Sequence, residues 1–135
     1  MHGSGKVLVD TSVWIDFFRR TEPGFSVVQR LLAEDRVCSA GIVVAEMMQG
    51  AKSEKELSVL RDFVHVFEFL HESPATWLAA GELSFRMRRK GKTIGLADCH
   101  IAMIAKENDV EILSLDSHFV TLEEEAGLRL FKMME

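Results

Sequence analysis

The chain has 135 residues, 47% apolar and 27% charged, with 16 Lys and Arg against 21 Asp and Glu, for a net charge of −5. That length and balance describe one globular domain and exclude a disordered chain. The negative balance also excludes a uniformly basic nucleic-acid coat, while leaving room for a local basic patch.

Cys38 and Cys99 have no paired spacing. Two such cysteines exclude a disulfide framework and point to a reducing compartment, the cytoplasm. No apolar run reaches the roughly 18 residues of a membrane span. No basic segment followed by an apolar core opens the chain, so no secretory signal is expected. Met1 to Gly5 (MHGSG) reads as a flexible lead-in, leaving residues 6–135 as the domain.

Lys6 to Val9 is a short β-branched run ending at Asp10, a buried strand. Ser12 to Arg19 has apolar residues at helical spacing. Pro23 follows turn chemistry and is placed to open a second helix carrying Phe25, Val28, Leu31 and Leu32. Arg36 to Ser39 is a short strand. Gly41 to Gly50 is a mostly buried helix interrupted by one acid, Glu46, and Ser53 to Leu60 is a polar helix. Val64 to Phe69 alternates, which predicts a third strand. Pro74 to Lys90 is a long helix closed by Gly91, and Leu96 to Glu107 another. Glu111 to Leu115 predicts a fourth strand ending at Asp116, and Leu128 to Phe131 a fifth. Strands alternating with helices imply one α/β domain with a central parallel sheet covered on both faces.

Four acids stand out by context. Asp10 and Asp116 each leave a strand, Asp98 sits in the first turn of an apolar helix, and Glu46 interrupts an apolar one. In an open parallel sheet, ligands bind beyond the carboxyl ends of the strands, and all four residues belong near that edge. Carboxylates this close repel one another unless a cation neutralises them. An all-oxygen set without His or Cys suits a hard ion, Mg²⁺ or Mn²⁺, and the chemistry such parts fit is metal-assisted phosphodiester hydrolysis. Each Asp singly also suits a helix N-cap. Glu46 is harder to place as structural, because Glu is rarely buried without a partner.

These blocks follow in order as DTSVW (Asp10 to Trp14), Glu46 within VVAEMMQG, Leu96-Ala97-Asp98 with Ile101-Ala102, and LDSHF (Leu115 to Phe119). The pattern resembles the PIN-domain ribonucleases, most closely the VapC toxins of type II toxin–antitoxin modules, over about Val7 to Phe131. The resemblance implies a Rossmann-like α/β/α sandwich, with Mg²⁺ or Mn²⁺ held by Asp10, Glu46, Asp98 and Asp116. It implies endonucleolytic cleavage of RNA, often tRNA or rRNA. It also implies a VapB-type antitoxin partner and commonly a homodimer. One departure stands out: such toxins often carry a polar residue just before the third acid, where this chain has Leu96-Ala97.

The hydroxyls of Thr11 and Ser12 are expected to hold the Asp10 carboxylate or a metal-bound water, or to cap the first helix. Ser114, two before Asp116, is expected on the same side as that acid. Arg86, Arg88, Arg89, Lys90 and Lys92 are five basic residues within seven, just ahead of Asp98. They fit phosphate contacts near the acids, and equally a dipole-favoured helix C-terminus. Trp14 reads as core and Asp16 as an exposed helix charge; His100 and His118 lie near the acids in sequence and could serve as a general base, although the resembling family does not require His at those positions. Two other classes keep the strand-end Asp without the nuclease. A receiver domain or aspartyl phosphatase lacks its partner residues here, and a purely non-catalytic interaction module leaves the four acids without a purpose.

Overall fold

The computed structural model describes residues 5–133. Most of the lead-in and the last two residues of the expected domain therefore lie outside the described residues. The elements run β1 (Val7–Val9), α1 (Thr11–Arg19), α2 (Gly24–Ala33), β2 (Val37–Ser39), α3 (Gly41–Gln49), α4 (Glu54–Arg61), a 3-10 turn (Asp62–His65), β3 (Glu68–Phe69), α5 (Pro74–Arg89), α6 (Leu96–Glu107), β4 (Glu111–Leu113) and α7 (His118–Ala126). The four strands pair in parallel in the order β3-β2-β1-β4. Strand order thus reverses at β1, which puts the crevice of an open α/β sheet between the ends of β1 and β4. Every residue of β1 and β2 is buried, as a parallel sheet covered on both faces requires.

Local chemistry accounts for most boundaries. Pro74 occupies the first turn of α5, and the Ser73 N–H donates to Thr76 Oγ1 at 3.1 Å. At the other end Gly91 adopts φ 79°. The Gly91 N–H donates to the Arg88 carbonyl and the Lys92 N–H to the Met87 carbonyl, each at 2.9 Å, closing α5 with paired reverse bonds that need a left-handed residue. Ser53 Oγ accepts the Glu56 N–H at 3.1 Å and opens α4. Asp16 is not the exposed charge expected of it: Oδ2 accepts the Gly24 N–H at 3.0 Å and Oδ1 accepts from Thr21 Oγ1 at 3.0 Å. A Cβ on Gly24 would lie 2.5 Å from Asp16 Cβ, so the α1–α2 corner depends on glycine.

Three predicted strands come out differently. Residues 64–69 were expected to be extended throughout, but the segment starts as a 3-10 turn and leaves a strand of only two residues. The reason is aromatic packing. Phe63 and Phe67, four apart, close on Trp14 with ring centroids at 5.2 and 5.5 Å, a spacing a curled backbone supplies and a pleated one does not. β4 stops at Leu113, before Ser114 and Leu115, because side chains take over the backbone bonding there. The fifth strand is reduced to one parallel bridge, Ile112 to Leu130, with the Phe131 N–H donating to the Ile112 carbonyl at 2.8 Å. α7 was not predicted at all, although Phe119, Leu122 and Ala126 pack at helical spacing and Gly127, φ 76°, ends it. Trp14 is core, as expected, ringed by Phe17, Phe18, Phe63 and Phe67. Cys38 and Cys99 are free and buried, and burial pushes the Cys38 thiol up to about 12. No helix among the described residues is long and apolar enough to cross a membrane.

Candidate active site

Asp10 leaves β1 at the switch point, its N–H donating to the Leu113 carbonyl of β4 at 2.9 Å. It holds the N-cap position of α1, but its carboxylate serves a longer-range purpose. Oδ2 accepts from Ser114 Oγ at 2.8 Å and from Ser12 Oγ at 3.1 Å. Both hydroxyls work twice: Ser114 Oγ also accepts the Asp116 N–H, and Ser12 Oγ the Leu115 N–H, each at 3.0 Å. Ser12 thus holds the Asp10 carboxylate, while Ser114, expected beside Asp116, reaches Asp10 as well. The same two hydroxyls lock the backbone that carries Asp116. Thr11 acts on a different acid, donating from Oγ1 to Glu46 Oε1 at 3.0 Å.

Asp98 and Asp116 meet across a third group. His118 Nδ1 lies 2.9 Å from Asp98 Oδ2 and 3.6 Å from Asp116 Oδ1. Asp116 Oδ1 also accepts the His118 N–H at 2.9 Å, so capping α7 and lining the site are both true of Asp116. One ligand atom from each of Asp98, Asp116 and His118 falls within 4.8 Å of the others. The expectation of an all-oxygen pocket is therefore corrected, because α7 starts at His118 and its first turn brings the imidazole over the acids. The residue was visible in LDSHF; its role depended on a helix the sequence reading did not assign. His100 is different. It is fully buried, with Nε2 2.9 Å from Glu72 Oε1 and Trp77 stacked on its ring at 3.6 Å.

The electrostatics follow from this crowding. Burial pushes the Asp10 carboxyl above its usual range, offset by Ser114, the Thr11 amide and Ser12, and the Asp98 charge pushes it further up. Glu46 is raised by burial, eased by Thr11, and raised again by the charges of Asp10 and Asp98. Asp98 raises the affinity of His118 for its proton through their hydrogen bond, and the Asp116 charge adds to it. Two carboxyls raised chiefly by burial, with two more carboxylates and an imidazole near the same strand edge, suit a divalent cation by donor chemistry.

Beside the acids runs a groove of about 540 Å³, lined by Thr11 and Glu46 at the site and by Ile15, Phe18, Val59 and Leu60 along its length. No residue pattern had pointed to it, because its walls come from α1, α3 and α4. The five basic residues divide. Arg86, Arg88 and Arg89 are exposed on the last turn of α5, with Arg89 over the Phe85 ring. Lys90 and Lys92 are bonded to Glu125 of α7.

A parallel sheet with carboxylates gathered at its switch point defines an α/β domain of the kind that works on ligands at that edge. Residues 7–125 match the PIN-domain family model. Among curated relatives, Ribonuclease VapC11 of Mycobacterium tuberculosis is 30% identical over 118 residues, covering 84% of this chain and 88% of that protein. Ribonuclease VapC1 of Methanocaldococcus jannaschii is 27% identical over 127 residues, covering 93% and 87%. Among solved structures, DNA-bound VapBC from Salmonella typhimurium superposes with a TM-score of 0.75 at 24% identity, covering 96% of this chain and 98% of that one. VapC20 of Mycobacterium tuberculosis, a sarcin–ricin-loop-cleaving toxin, superposes at 0.69 with 14% identity, covering 86% and 94%. The chain belongs to the PIN-domain family, among its VapC ribonucleases.

Proposed function

We propose that this protein is a divalent-metal-dependent endoribonuclease, the toxin of a toxin–antitoxin pair, which hydrolyses RNA phosphodiester bonds and is neutralised by a VapB-type antitoxin. The observation that carries the reading is the meeting of Asp98, Asp116 and His118 within 4.8 Å beside a buried, hydroxyl-held Asp10. Asp10, Glu46, Asp98 and Asp116 are the residues that would hold Mg²⁺ or Mn²⁺. A bound ion there would supply a Lewis acid for the phosphoryl oxygen and a water of lowered pKa. The chain's own part is positioning. Ser12 and Ser114 fix the Asp10 carboxylate, Thr11 fixes Glu46, and His118 keeps Asp98 and Asp116 together. Arg86, Arg88, Arg89, Lys90 and Lys92 are the phosphate-contacting segment, and a structured RNA such as tRNA or rRNA is the substrate class.

The groove supports the antitoxin. Its apolar stretch runs up to Thr11 and Glu46, so a segment seated in it would reach Glu46 at the edge of the site. The solved VapBC pairs that share this fold are themselves toxin–antitoxin complexes. A homodimer has a face to use: Trp77, Leu78 and Phe85 of α5 and Leu96 of α6 stand 49, 72, 56 and 52% exposed. The cytoplasm is the compartment in keeping with two buried free thiols.

The test is cleavage of total bacterial RNA by the purified protein with Mg²⁺ or Mn²⁺ and with EDTA, beside Asp98→Asn. Discrete fragments that need the metal and vanish in the variant are the expected result. Identical patterns from both proteins, or no cleavage once metal binding is confirmed, would sink the catalytic reading.

A further inference from the structure

α7 touches the α5–α6 unit at both of its ends. At its first residue His118 bonds Asp98; in its last turn Glu125 takes Lys90 on Oε1 and Lys92 on Oε2, the latter at 2.7 Å. Both lysines belong to the turn that leads into the helix of Asp98. Glu125 stands two helical turns, ~10 Å, along α7 from His118. Two ammonium groups converging on the two oxygens of one anion are the donor set that the non-bridging oxygens of a phosphodiester also accept.

The clasp is not the sole hold on this end of α7. Lys106 Nζ donates to the Ala126 carbonyl at 2.7 Å and secures the same end of the helix. Nor are the neighbouring cations treated alike: among the described residues, Arg86, Arg88 and Arg89 have no carboxylate in ion-pair range, whereas both lysines share one. An ion pair at a solvated surface contributes little stability, so exchanging the carboxylate for a phosphate costs little.

We infer that Glu125 is an internal stand-in for RNA phosphate, holding Lys90 and Lys92 in the place a phosphodiester takes when RNA binds. The basic segment then works as three open arginines and two gated lysines. This rests on the ribonuclease reading above and names a residue that tunes substrate affinity in it.

The experiment measures binding of a short single-stranded RNA, by fluorescence anisotropy across a salt series, to Asp98→Asn protein in EDTA. Adding Glu125→Gln should tighten binding roughly three- to tenfold and steepen the log–log salt dependence by about 1.4, the contribution of two more phosphates on a single strand. Adding Lys90→Gln and Lys92→Gln as well should remove both gains. With Glu125 intact, the same two lysine changes should weaken binding by a smaller factor than they do beside Glu125→Gln, since the carboxylate competes with phosphate for those cations. Glu125→Ala serves in the same arms where Glu125→Gln fails to fold. Unchanged affinity and slope in the folded Glu125 variant would overturn the inference, as would a gain that survives loss of the lysines, or lysine changes that cost as much with Glu125 as without it. Those results leave the ribonuclease reading intact if wild-type protein cuts RNA in a parallel Mn²⁺ assay. RNA neither cut nor bound in any arm counts against both.

Discussion

The two sides of the acidic site are built differently. On the β1 side, Asp10 is buried and its carboxylate is held by two hydroxyls that also pin the backbone after β4. On the α6–α7 side, Asp98 and Asp116 are only partly buried and are held together through an imidazole that is about half exposed. The first side is preorganised by hydroxyl hydrogen bonds to a buried carboxylate, so its geometry is set by packing even though burial shifts its protonation. The second is balanced by charge, so pH and cations act on it. In the proposed function, a site built this way would give a cation one fixed anchor and one adjustable one.

The largest expected effect comes from removing the fixed anchor. Asp10→Asn should lower metal-dependent RNA cleavage by roughly 10²–10³-fold, the loss of about 3–4 kcal/mol of charge stabilisation. It should also raise the melting temperature of metal-free protein at neutral pH by about 2–5 °C, since a neutral isostere escapes the burial cost while still accepting from both serines. A lower melting temperature would show that the carboxylate is a net stabiliser and break the contrast between the two sides.

Ser114→Ala takes one donor from Asp10 and the acceptor from the Asp116 N–H. Cleavage should fall about 10- to 100-fold, with about 1 kcal/mol lost in denaturant unfolding. A loss no larger than that of a surface serine would mean the hydroxyl network does not organise the site.

The groove can be separated from the chemistry. Val59 is on the wall of the groove, 49% exposed, and belongs to α4, which carries none of the four acids. Val59→Glu should weaken antitoxin binding about tenfold, or about 1.4 kcal/mol. Stability should stay within about 0.5 kcal/mol, and RNA cleavage by the free toxin should be unchanged. Undiminished antitoxin affinity by calorimetry would move the antitoxin off this groove.

The smallest effect is a pH profile. In the folded protein Asp10 and Glu46 titrate above their ordinary values of 3.8 and 4.5, and His118 above 6.5. Each group therefore binds its proton more tightly folded than unfolded. The stability from these groups is fully present below the unfolded values and is lost as pH rises through the raised folded ones. Glu125 runs the other way: the hydrogen bonds from Lys90 and Lys92 lower it to about 2, so its contribution is present above 4.5 and lost as pH falls towards 2. Melting temperature in EDTA should accordingly peak at mildly acidic pH and decline towards pH 8. Mn²⁺ should reverse the decline, and Asp10→Asn should flatten it. A profile that rises from pH 5 to 8 without metal would contradict the charge balance assigned to the open side.

Most of this was legible in the residues, unevenly. The strand runs at β1 and β2, the start of α5 at Pro74 and its Gly91 ending, and the placing of Asp10 and Asp116 after strands rest on residues a few positions away. Such signals survive in a linear reading. The alternation at 64–69 misled, because Phe63 and Phe67 answer to Trp14, which the linear pattern does not contain. His118 carried little weight because the resembling family does not require His there, and without α7 its first residue had no direction. The basic run read as one patch, while the structure pairs only its last two members.

Sequence alone determined that this is a single parallel α/β domain with a fixed set of acids, because strand periods, caps and strand-end Asp residues are local properties. Tertiary structure decided how the acids are held: Ser114 reaches Asp10 across 104 residues, Thr11 reaches Glu46 across 35, and Lys90 reaches Glu125 across 35. Those pairs become neighbours only when the sheet order brings β4 beside β1 and the helices close over it. Hydrogen bonds act over about 3 Å and carry no trace in sequence spacing, so the tuning of the site had to wait for the fold.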